Sequence, residues 1–486
     1  MSKKPFYITT TLPYVNAEPH IGFAMEIIRA DVIARYKKLA GHEVFFNTGT
    51  DEHGIKIYRK AKEQGMEPQA YVDGLAEKYK MLYPALGLAV NEPGINFNFI
   101  RTTDAHHVKA AQEFWKIVDK NGYIYKKNYS IKYCVGCELE KTESELVDGR
   151  CPIHPLMELE IIQEENYFFK FSAFQEKLLE LYEKNPQFVI PDFRFNEIKA
   201  FVGRGLEDFS ISRLATKMPW GIPVPGDENQ VMYVWFDALV DYISAIGWPD
   251  KESSFRKWWL ESGGVVQYCG KDNLRQQSAM WQAMLMAANL PSSQTIVING
   301  FITGEGGLKM SKSLGNTVDP LEIIKGYGTD ALRYFVIREL SPFEDSPFSM
   351  AMFEQAYNAG LANGIGNLTS RVMKMASDNL KGVSVLAGPL PADYMAAIER
   401  YDLKAAADII WSKIAVLDSL IQKEEPFKKV KEESTKAHAL EIIEKLVIGL
   451  AEVTILLEPI LPESAKVIWN CIKENKVPEK ALFMRK

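Results

Sequence analysis

The first fifty residues alternate in a way that leaves few folds open. Phe6-Tyr7-Ile8-Thr9-Thr10 is a β-branched and aromatic run that the proline-bounded turn at 13–19 closes, which predicts a strand. Ile21, Met25, Ile28, Val32, Tyr36 and Leu39 then recur at steps of three or four, with Gly41 past the last turn, which predicts a helix. Val44-Phe45-Phe46 predicts a second buried strand that runs into the loop Gly49-Thr50-Asp51-Glu52-His53-Gly54. Strand, helix and strand this close together make a βαβ unit. Such a unit needs a parallel sheet, and parallel sheets bind ligands in the crevice at the carboxyl ends of their strands.

The strand signals pause and then return. The segment 116–225 carries a cysteine cluster, many aromatics and a turn-rich run at 219–229, and it reads as an insertion. Strands are predicted again at 231–236, 265–268 and 295–299, with a helix over 280–288. Beyond 349 only helical spacing remains, in Phe353, Tyr357, Leu361, Ile365, Leu368, Val372 and Met375, which predicts a helical bundle. The expected organisation is therefore α/β: a Rossmann-like parallel-sheet domain in two halves, 1–115 and 226–295, split by the insertion 116–225. A linking region at 296–348 and an all-α bundle at 349–486 follow. A chain of 486 residues has room for about three domains of roughly 150 residues each.

Charge narrows the function. With 57 basic against 63 acidic residues the net charge is −6, which argues against a protein that coats nucleic acid through bulk positive charge and leaves room only for a local basic track. No export signal is visible, and the most apolar stretch, 446–462, is too short to span a bilayer and carries Glu452 and Glu458. A core helix with no membrane role is expected there. Of the five cysteines, Cys134, Cys137 and Cys151 cluster while Cys269 and Cys471 stand apart, which suits a reducing cytoplasm. Cys134-x-x-Cys137, thirteen residues, then Cys151-x-x-His154 has the spacing of two metal knuckles. Three thiolates and one imidazole fill a tetrahedron, so one structural Zn2+ per chain is expected.

Two motifs point to a triphosphate. Lys309-Met310-Ser311-Lys312-Ser313 follows the glycine-rich Gly304-Glu305-Gly306-Gly307-Leu308. Two lysines three apart on a mobile loop can both reach one polyanion whose leaving group gains charge. The glycines and lysine are wrongly spaced for a Walker A loop. Pro19-His20-Ile21-Gly22 opens the first predicted helix, where free N–H groups hold phosphate, His20 can add a directed hydrogen bond and Gly22 permits close approach. Alone, the lysines fit an exposed basic loop and the histidine fits a helix cap; in this order across a split sheet they become specific. A third pattern, Gly326-Tyr327-Gly328-Thr329-Asp330-Ala331, follows a helical run where a dinucleotide fingerprint needs a strand, and is set aside.

The pair resembles the two signatures of class I aminoacyl-tRNA synthetases, with His20-Ile21-Gly22-Phe23 for the first and Lys309 to Ser313 for the second. Residues 7–22, 49–54, 233–242 and 270–272 are similar to the methionyl-tRNA synthetase family, over nearly the whole chain. The resemblance implies a methionine–tRNA ligase that activates L-methionine with ATP and Mg2+ to methionyl-adenylate and passes it to tRNA(Met). It implies catalytic roles for His20, Gly22, Lys309 and Lys312. It also implies ATP contacts by those four with Glu26, Arg213, Lys271 and Asp272, and a methionine pocket of Leu12, Tyr14, Asp51, Trp235, Ala238, Tyr242 and Gln277. Asp51 would hold the substrate ammonium, since a carboxylate at a strand end is seldom there for packing. The bundle would read the anticodon through Asn367 and Arg371, which share a four-residue spacing with Asn363, and through Phe427 as a stacking ring. Phe23 and Gln277 stand where the family usually has histidine, and Leu239 where it has proline. A monomer is favoured. The alternatives are a catalytically weakened tRNA-binding paralogue and a class I synthetase for another amino acid; the valine, leucine and isoleucine enzymes carry an editing insertion that this length cannot hold.

Overall fold

A computed structural model of the chain describes residues 3–16, 18–141, 145–250, 254–304, 318–385 and 388–486. Lys309 and Lys312 lie outside the described residues. The chain divides into two compact units. The first comprises 1–19, 41–81 and 90–298; the second comprises 20–40, 82–89 and 299–486.

The first unit is organised by a six-stranded sheet in the order Ile95–Arg101, Glu43–Thr50, Pro5–Thr10, Val265–Gly270, Thr295–Asn299, Val189–Ile190. Pro5–Thr10 lies near its middle and pairs in parallel with both neighbours, Tyr7 facing Phe45 on one side and Val265 on the other. Tyr7, Ile8 and the whole of Val265–Gly270 are buried, as strands covered on both faces must be. Chain order reverses between Pro5–Thr10 and Val265–Gly270, so the crevice at their carboxyl ends is the switch point where such sheets take ligands.

The segment 116–225 builds its own antiparallel sheet. Ile124–Cys134 pairs along its length with Glu160–Phe169, flanked by Leu139–Lys141 and Phe209–Ser210. It also sends the two-residue strand Val189–Ile190 to the edge of the parallel sheet, beside Ile296 and Val297. Aromatic rings hold this unit together: Trp115 packs edge-on against Phe236 at 5.3 Å, and Trp281 packs edge-on against Trp259 at 6.5 Å and Tyr242 at 5.8 Å.

One predicted strand is corrected. Residues 231–236 divide into the end of the strand Asp227–Met232 and a short helix, Val234–Ala238. Val234, Trp235 and Phe236 have strand-like side chains, but they lie in a short helix whose Asp237 is fully buried and hydrogen-bonded by two histidines. The helix predicted over 280–288 is Trp281–Ala287, entered through a π-helical turn at Gln276–Met280.

In the second unit, Ile21–Leu39 is helical over the predicted span. The bundle beyond 349 contains Met350–Ala356, Asn367–Asn379, Ala392–Glu399, Leu403–Glu424, Lys436–Leu457 and Pro462–Glu474. Lys436–Leu457 covers most of the apolar stretch, and no described helix is long and apolar enough to cross a membrane. The discarded glycine pattern falls where the helix Pro320–Tyr327 meets the helix Thr329–Tyr334, with no strand before it.

A buried ion pair organises this unit. Arg333 donates to Asp31 at 2.7 Å and to the carbonyls of Ile460, Pro459 and Leu86 at 2.8, 2.9 and 3.2 Å. Asp31 also accepts from Arg35 and from the Ala89 amide, both at 2.8 Å. Burial pushes the Asp31 carboxyl up, yet Arg35 and Arg333 beside it bring it below the usual carboxylate value. Removing one partner of a buried pair strands the other. Arg333→Met is therefore expected to destabilise the protein by about 3–5 kcal/mol, read as a lower urea midpoint of the helical signal.

Candidate active site

At the switch point of the first unit the chain brings two loops side by side. Tyr14 and Asp51 form a parallel bridge, with the Val15 amide donating to the Asp51 carbonyl at 3.1 Å and the Asp51 amide donating to the Pro13 carbonyl at 3.0 Å. This fixes Leu12 and Tyr14 alongside the end of strand Glu43–Thr50. The next residue, Glu52, anchors the loop from behind. It is buried, receives two prongs of Arg101 at 2.7 and 2.9 Å, and accepts from the hydroxyls of Thr50 and Thr103 at 2.6 and 2.5 Å.

Asp51 is treated differently. It is 7% exposed, and its Oδ1 is buried with no hydrogen-bond partner among the described residues. Burial pushes its carboxyl well above the usual value, with the Asp237 charge adding to the effect. A carboxylate left in this condition costs free energy until a cation reaches it. Its two acidic neighbours are provided for within the protein. Asp237 takes His53 Nδ1 at 2.7 Å and His107 Nε2 at 2.8 Å, and these histidines hold it below the ordinary range against the opposing effect of burial. Asp241, raised by burial and by Asp51, accepts from Asn47 at 3.1 Å.

The apolar residues expected around this carboxylate are close-packed. Leu12, Ala238 and Tyr242 are buried, and Trp235 has a buried Nε1–H without an acceptor among the described residues. Trp235 and Ala238 sit on the short helix Val234–Ala238. Gln277, on the π-helical turn, donates to the Tyr242 hydroxyl at 2.7 Å and accepts from Gln267 at 2.5 Å. The charge of Asp237 raises Asp51, and those of Asp51 and Asp237 raise Asp241, which places the 234–244 segment against the Asp51 loop.

Lys271 and Asp272 form a short turn directly after strand Val265–Gly270, with Asp272 exposed. Arg213 is buried between the rings of Tyr133 and Tyr233, at 5.2 and 4.7 Å, and donates to the Ser210 hydroxyl and the Ser212 carbonyl at 2.7 Å each. In the second unit, His20 is the N-cap of helix Ile21–Leu39: its Nδ1 accepts from the Gly22 amide at 3.1 Å. A neutral ring in that arrangement carries its proton on Nε2, the nitrogen suited to donate to a phosphate oxygen. Glu26 follows Gly22 by one turn and is half-buried, while Phe23 stacks on Tyr83 at 6.2 Å.

Cys134, Cys137, Cys151 and His154 converge, their ligand atoms all within 4.8 Å of one another. Cys137 Sγ lies 3.5 Å from Cys151 Sγ and 3.2 Å from His154 Nδ1, and Cys134 Sγ is 3.8 Å from that nitrogen. A tetrahedral zinc ion needs about 3.8 Å between sulfurs and about 3.5 Å between sulfur and nitrogen, so the donor set can hold a metal ion of this kind. Gly136 makes the knuckle possible, because a Cβ there would lie 2.6 Å from His154 Cγ.

On the bundle, Asn367 is exposed, and Arg371, one turn further along Asn367–Asn379, donates to Asp418 at 2.9 Å. Asn363 does not share their helix. It belongs to the π-helical stretch Tyr357–Gly366, which Gly364 kinks with φ −87° and ψ −111°. Phe427 is 43% exposed.

Four groups here were not singled out from the sequence: Arg101, His107, Asp237 and Glu138. The contacts that tie them to this site, Arg101 to Glu52, His107 to Asp237, Asp237 to His53 and Glu138 to Tyr14, span 49 to 184 residues, so local pattern could not announce them. The adjacency of Glu138 to Cys137, one of the four residues that could hold a metal ion, was the one available signal.

Comparison with known proteins agrees in one direction. The profile of the family described as "tRNA synthetases class I (M)" matches residues 6–160 and 154–373. The chain is 38% identical to the methionine–tRNA ligase of Caldanaerobacter subterraneus subsp. tengcongensis, over 96% of this chain and 74% of that one. It is 39% identical to the methionine–tRNA ligase of Thermosynechococcus vestitus, over 96% of this chain and 89% of that one. Among solved structures, Mycobacterium tuberculosis methionyl-tRNA synthetase in complex with methionyl-adenylate superposes with a TM-score of 0.88 at 34% identity, covering 99% and 98% of the two chains.

The knuckle geometry yields a direct test. Purified protein is expected to hold about one divalent ion per chain by mass spectrometry of the metal. Gly136→Ala should lower that occupancy by pushing the His154 ring out of place.

Proposed function

This chain belongs to the methionyl branch of the class I tRNA synthetases, and we propose that it charges tRNA(Met) by the following division of labour. Methionine activation with ATP and transfer to tRNA is the family's activity. The observation that carries the substrate reading is the Asp51 carboxylate, buried, raised and with one oxygen short of a partner among the described residues. An α-ammonium supplies both the missing donor and the missing charge. Leu12, Tyr14, Trp235, Ala238, Tyr242 and Gln277 surround the thioether, which aromatic edges favour by about 0.3–1.5 kcal/mol per contact.

The methionine carboxylate attacks the α-phosphorus of ATP in line, forming the mixed anhydride and releasing pyrophosphate. A terminal ribose hydroxyl of the tRNA then attacks the methionyl carbonyl and AMP leaves. Little covalent work falls to the protein, so rate comes from positioning and charge stabilisation. His20 donates through Nε2 to phosphate, with Gly22 allowing approach, and Lys309 and Lys312 stabilise the leaving pyrophosphate. Glu26, Lys271 and Asp272 bind the nucleotide, Asp272 by accepting from ribose hydroxyls. Arg213 contributes positive potential from between its two tyrosines. Mg2+ arriving with ATP neutralises phosphate charge.

A structural Zn2+ suits Cys134, Cys137, Cys151 and His154, since four protein donors leave no open position. Asn367, Arg371 and Phe427 read the anticodon, the first two by base edges and the third by stacking. We assign 1–115 and 226–295 to catalysis, 116–225 to the connective insertion, 296–348 to the lysine-loop linker and 349–486 to anticodon binding. The enzyme works in the cytoplasm, where ATP, tRNA and reduced thiols coexist. A monomer suffices, because one chain carries every proposed site.

The decisive assay is exchange of labelled pyrophosphate into ATP, which should require methionine. Exchange with a different amino acid would overturn the substrate, and no exchange with any would leave a tRNA-binding paralogue. Bound ammonium lowers the raised Asp51 carboxyl, so methionine affinity is full above that raised value and falls as acid protonates the group. Asp51→Asn is expected to raise the methionine KM by on the order of 10- to 100-fold and to abolish this pH dependence. Lys312→Ala should slow single-turnover adenylate formation by on the order of 10²–10³ while leaving methionine affinity within about twofold.

A further inference from the structure

Helix Ile55–Glu63, which follows the Asp51 loop, starts at Gly54 and has no side chain of its own to cap it. The missing acceptor comes from far along the chain. Glu138 Oε1 takes the Lys56 amide at 3.0 Å, which satisfies one of the free N–H groups at that helix end. The same oxygen accepts the Tyr14 hydroxyl, also at 3.0 Å, and Oε2 accepts the Tyr133 hydroxyl. The Glu138 carbonyl accepts the hydroxyl of Tyr233, the residue before the helix that carries Trp235 and Ala238. Glu138 is 5% exposed and has φ 52°, a left-handed conformation that a side chain adopts only where its surroundings impose it.

The approach around it is tight. A Cβ on Gly54 would lie 2.5 Å from the Tyr14 oxygen and 3.6 Å from Glu138 Oε1. The Tyr14 ring cannot swing away without breaking the bond to Glu138. The residue immediately before Glu138 is the metal ligand Cys137, so the backbone that aims the carboxylate is the backbone of the knuckle.

We propose that Glu138 is the positioning residue for methionine recognition: it locks Tyr14 and the Gly54 helix start to the metal knuckle, so that knuckle occupancy sets methionine affinity. The proposal deepens the reading of Tyr14 as part of the methionine pocket and rests on it. Glu138 touches no substrate in this scheme. It acts through Tyr14 and through the helix that continues the Asp51 loop.

The test is a double-mutant cycle on the full, metal-loaded protein, with methionine Kd from equilibrium dialysis, KM and kcat from pyrophosphate exchange, and metal content measured on each sample. Tyr14→Phe and Glu138→Ala are each expected to weaken methionine about five- to tenfold, with ATP KM and metal content unchanged. The double variant should be no weaker than Glu138→Ala alone, because the one hydrogen bond that Tyr14→Phe removes is already lost in Glu138→Ala. Glu138→Gln should recover most of the affinity, since its amide oxygen still accepts from Tyr14 and the Lys56 amide. Chelating the metal should weaken methionine binding in the wild type and leave Glu138→Ala unchanged.

If Tyr14→Phe and Tyr14→Ala both leave the Kd unaltered, the pocket reading falls. If Tyr14→Ala weakens binding while Glu138→Ala does not, or if the two effects multiply, the positioning role falls and the pocket reading survives. Loss of metal from Glu138→Ala would also overturn it, by showing that the residue supports the knuckle alone. Should Glu138→Ala fail to fold, Glu138→Asp takes its place in the cycle: one methylene shorter, it is expected to reproduce the loss, and wild-type affinity in it would count against the role.

Discussion

A carboxylate in the protein interior without a counter-charge is the constraint around which the first unit is arranged. Asp51 shares its surroundings with Glu52, Asp237 and Asp241, and each of those three has been given donors: an arginine and threonines, two histidines, an asparagine. Of these four, only Asp51 has a buried oxygen without a partner among the described residues. Like charges so close together raise one another, so the site holds a deficit of positive charge that an ammonium-bearing substrate would remove. The hydrogen bonds around it engage its neighbours, Glu52, Asp237 and Asp241.

The sheet makes this arrangement possible. Its order reverses between Pro5–Thr10 and Val265–Gly270, and the loops leaving those strands carry Leu12, Tyr14, Lys271 and Asp272 to the same end. The insertion returns a strand to the parallel sheet at Val189–Ile190 and supplies Glu138, which accepts from Tyr14 and from the Lys56 amide, so it is joined to the Asp51 region by covalent and hydrogen-bonded routes together. The second unit has its own keystone in Arg333, which ties helix Ile21–Leu39 to the end of Lys436–Leu457 through one buried guanidinium.

What could be read from the sequence was whatever repeats locally. The strand at 6–10, the helix at 21–39 and the strand at 265–268 matched their elements closely because apolar spacing and terminal glycine or proline are properties of neighbouring residues. The metal quartet was legible for the same reason, as two short spacings. Residues 231–236 read as a strand because Val234, Trp235 and Phe236 suit a pleat, while the next residue, Asp237, is engaged by His53 and His107, 184 and 130 residues away, which no local window contains. Asn363 was placed with Asn367 by counting fours, and the Gly364 kink makes that count fail. Glu138 and Arg333 do their work across 124 and 302 residues, and no window along the chain contains both ends of such a contact.

The pairing of Arg371 with Asp418 has a consequence for how an RNA loop would be judged. The guanidinium is already engaged, and Asp418 is part-buried, with burial holding its carboxyl above the usual value. An incoming base that recruits the arginine must match the aspartate it replaces, and any loop that pulls Arg371 away without equal hydrogen bonding leaves an abandoned anion behind. Stringency would then arise from exchange between rivals for one cation, with the resident acid setting the threshold that a visiting nucleotide has to exceed.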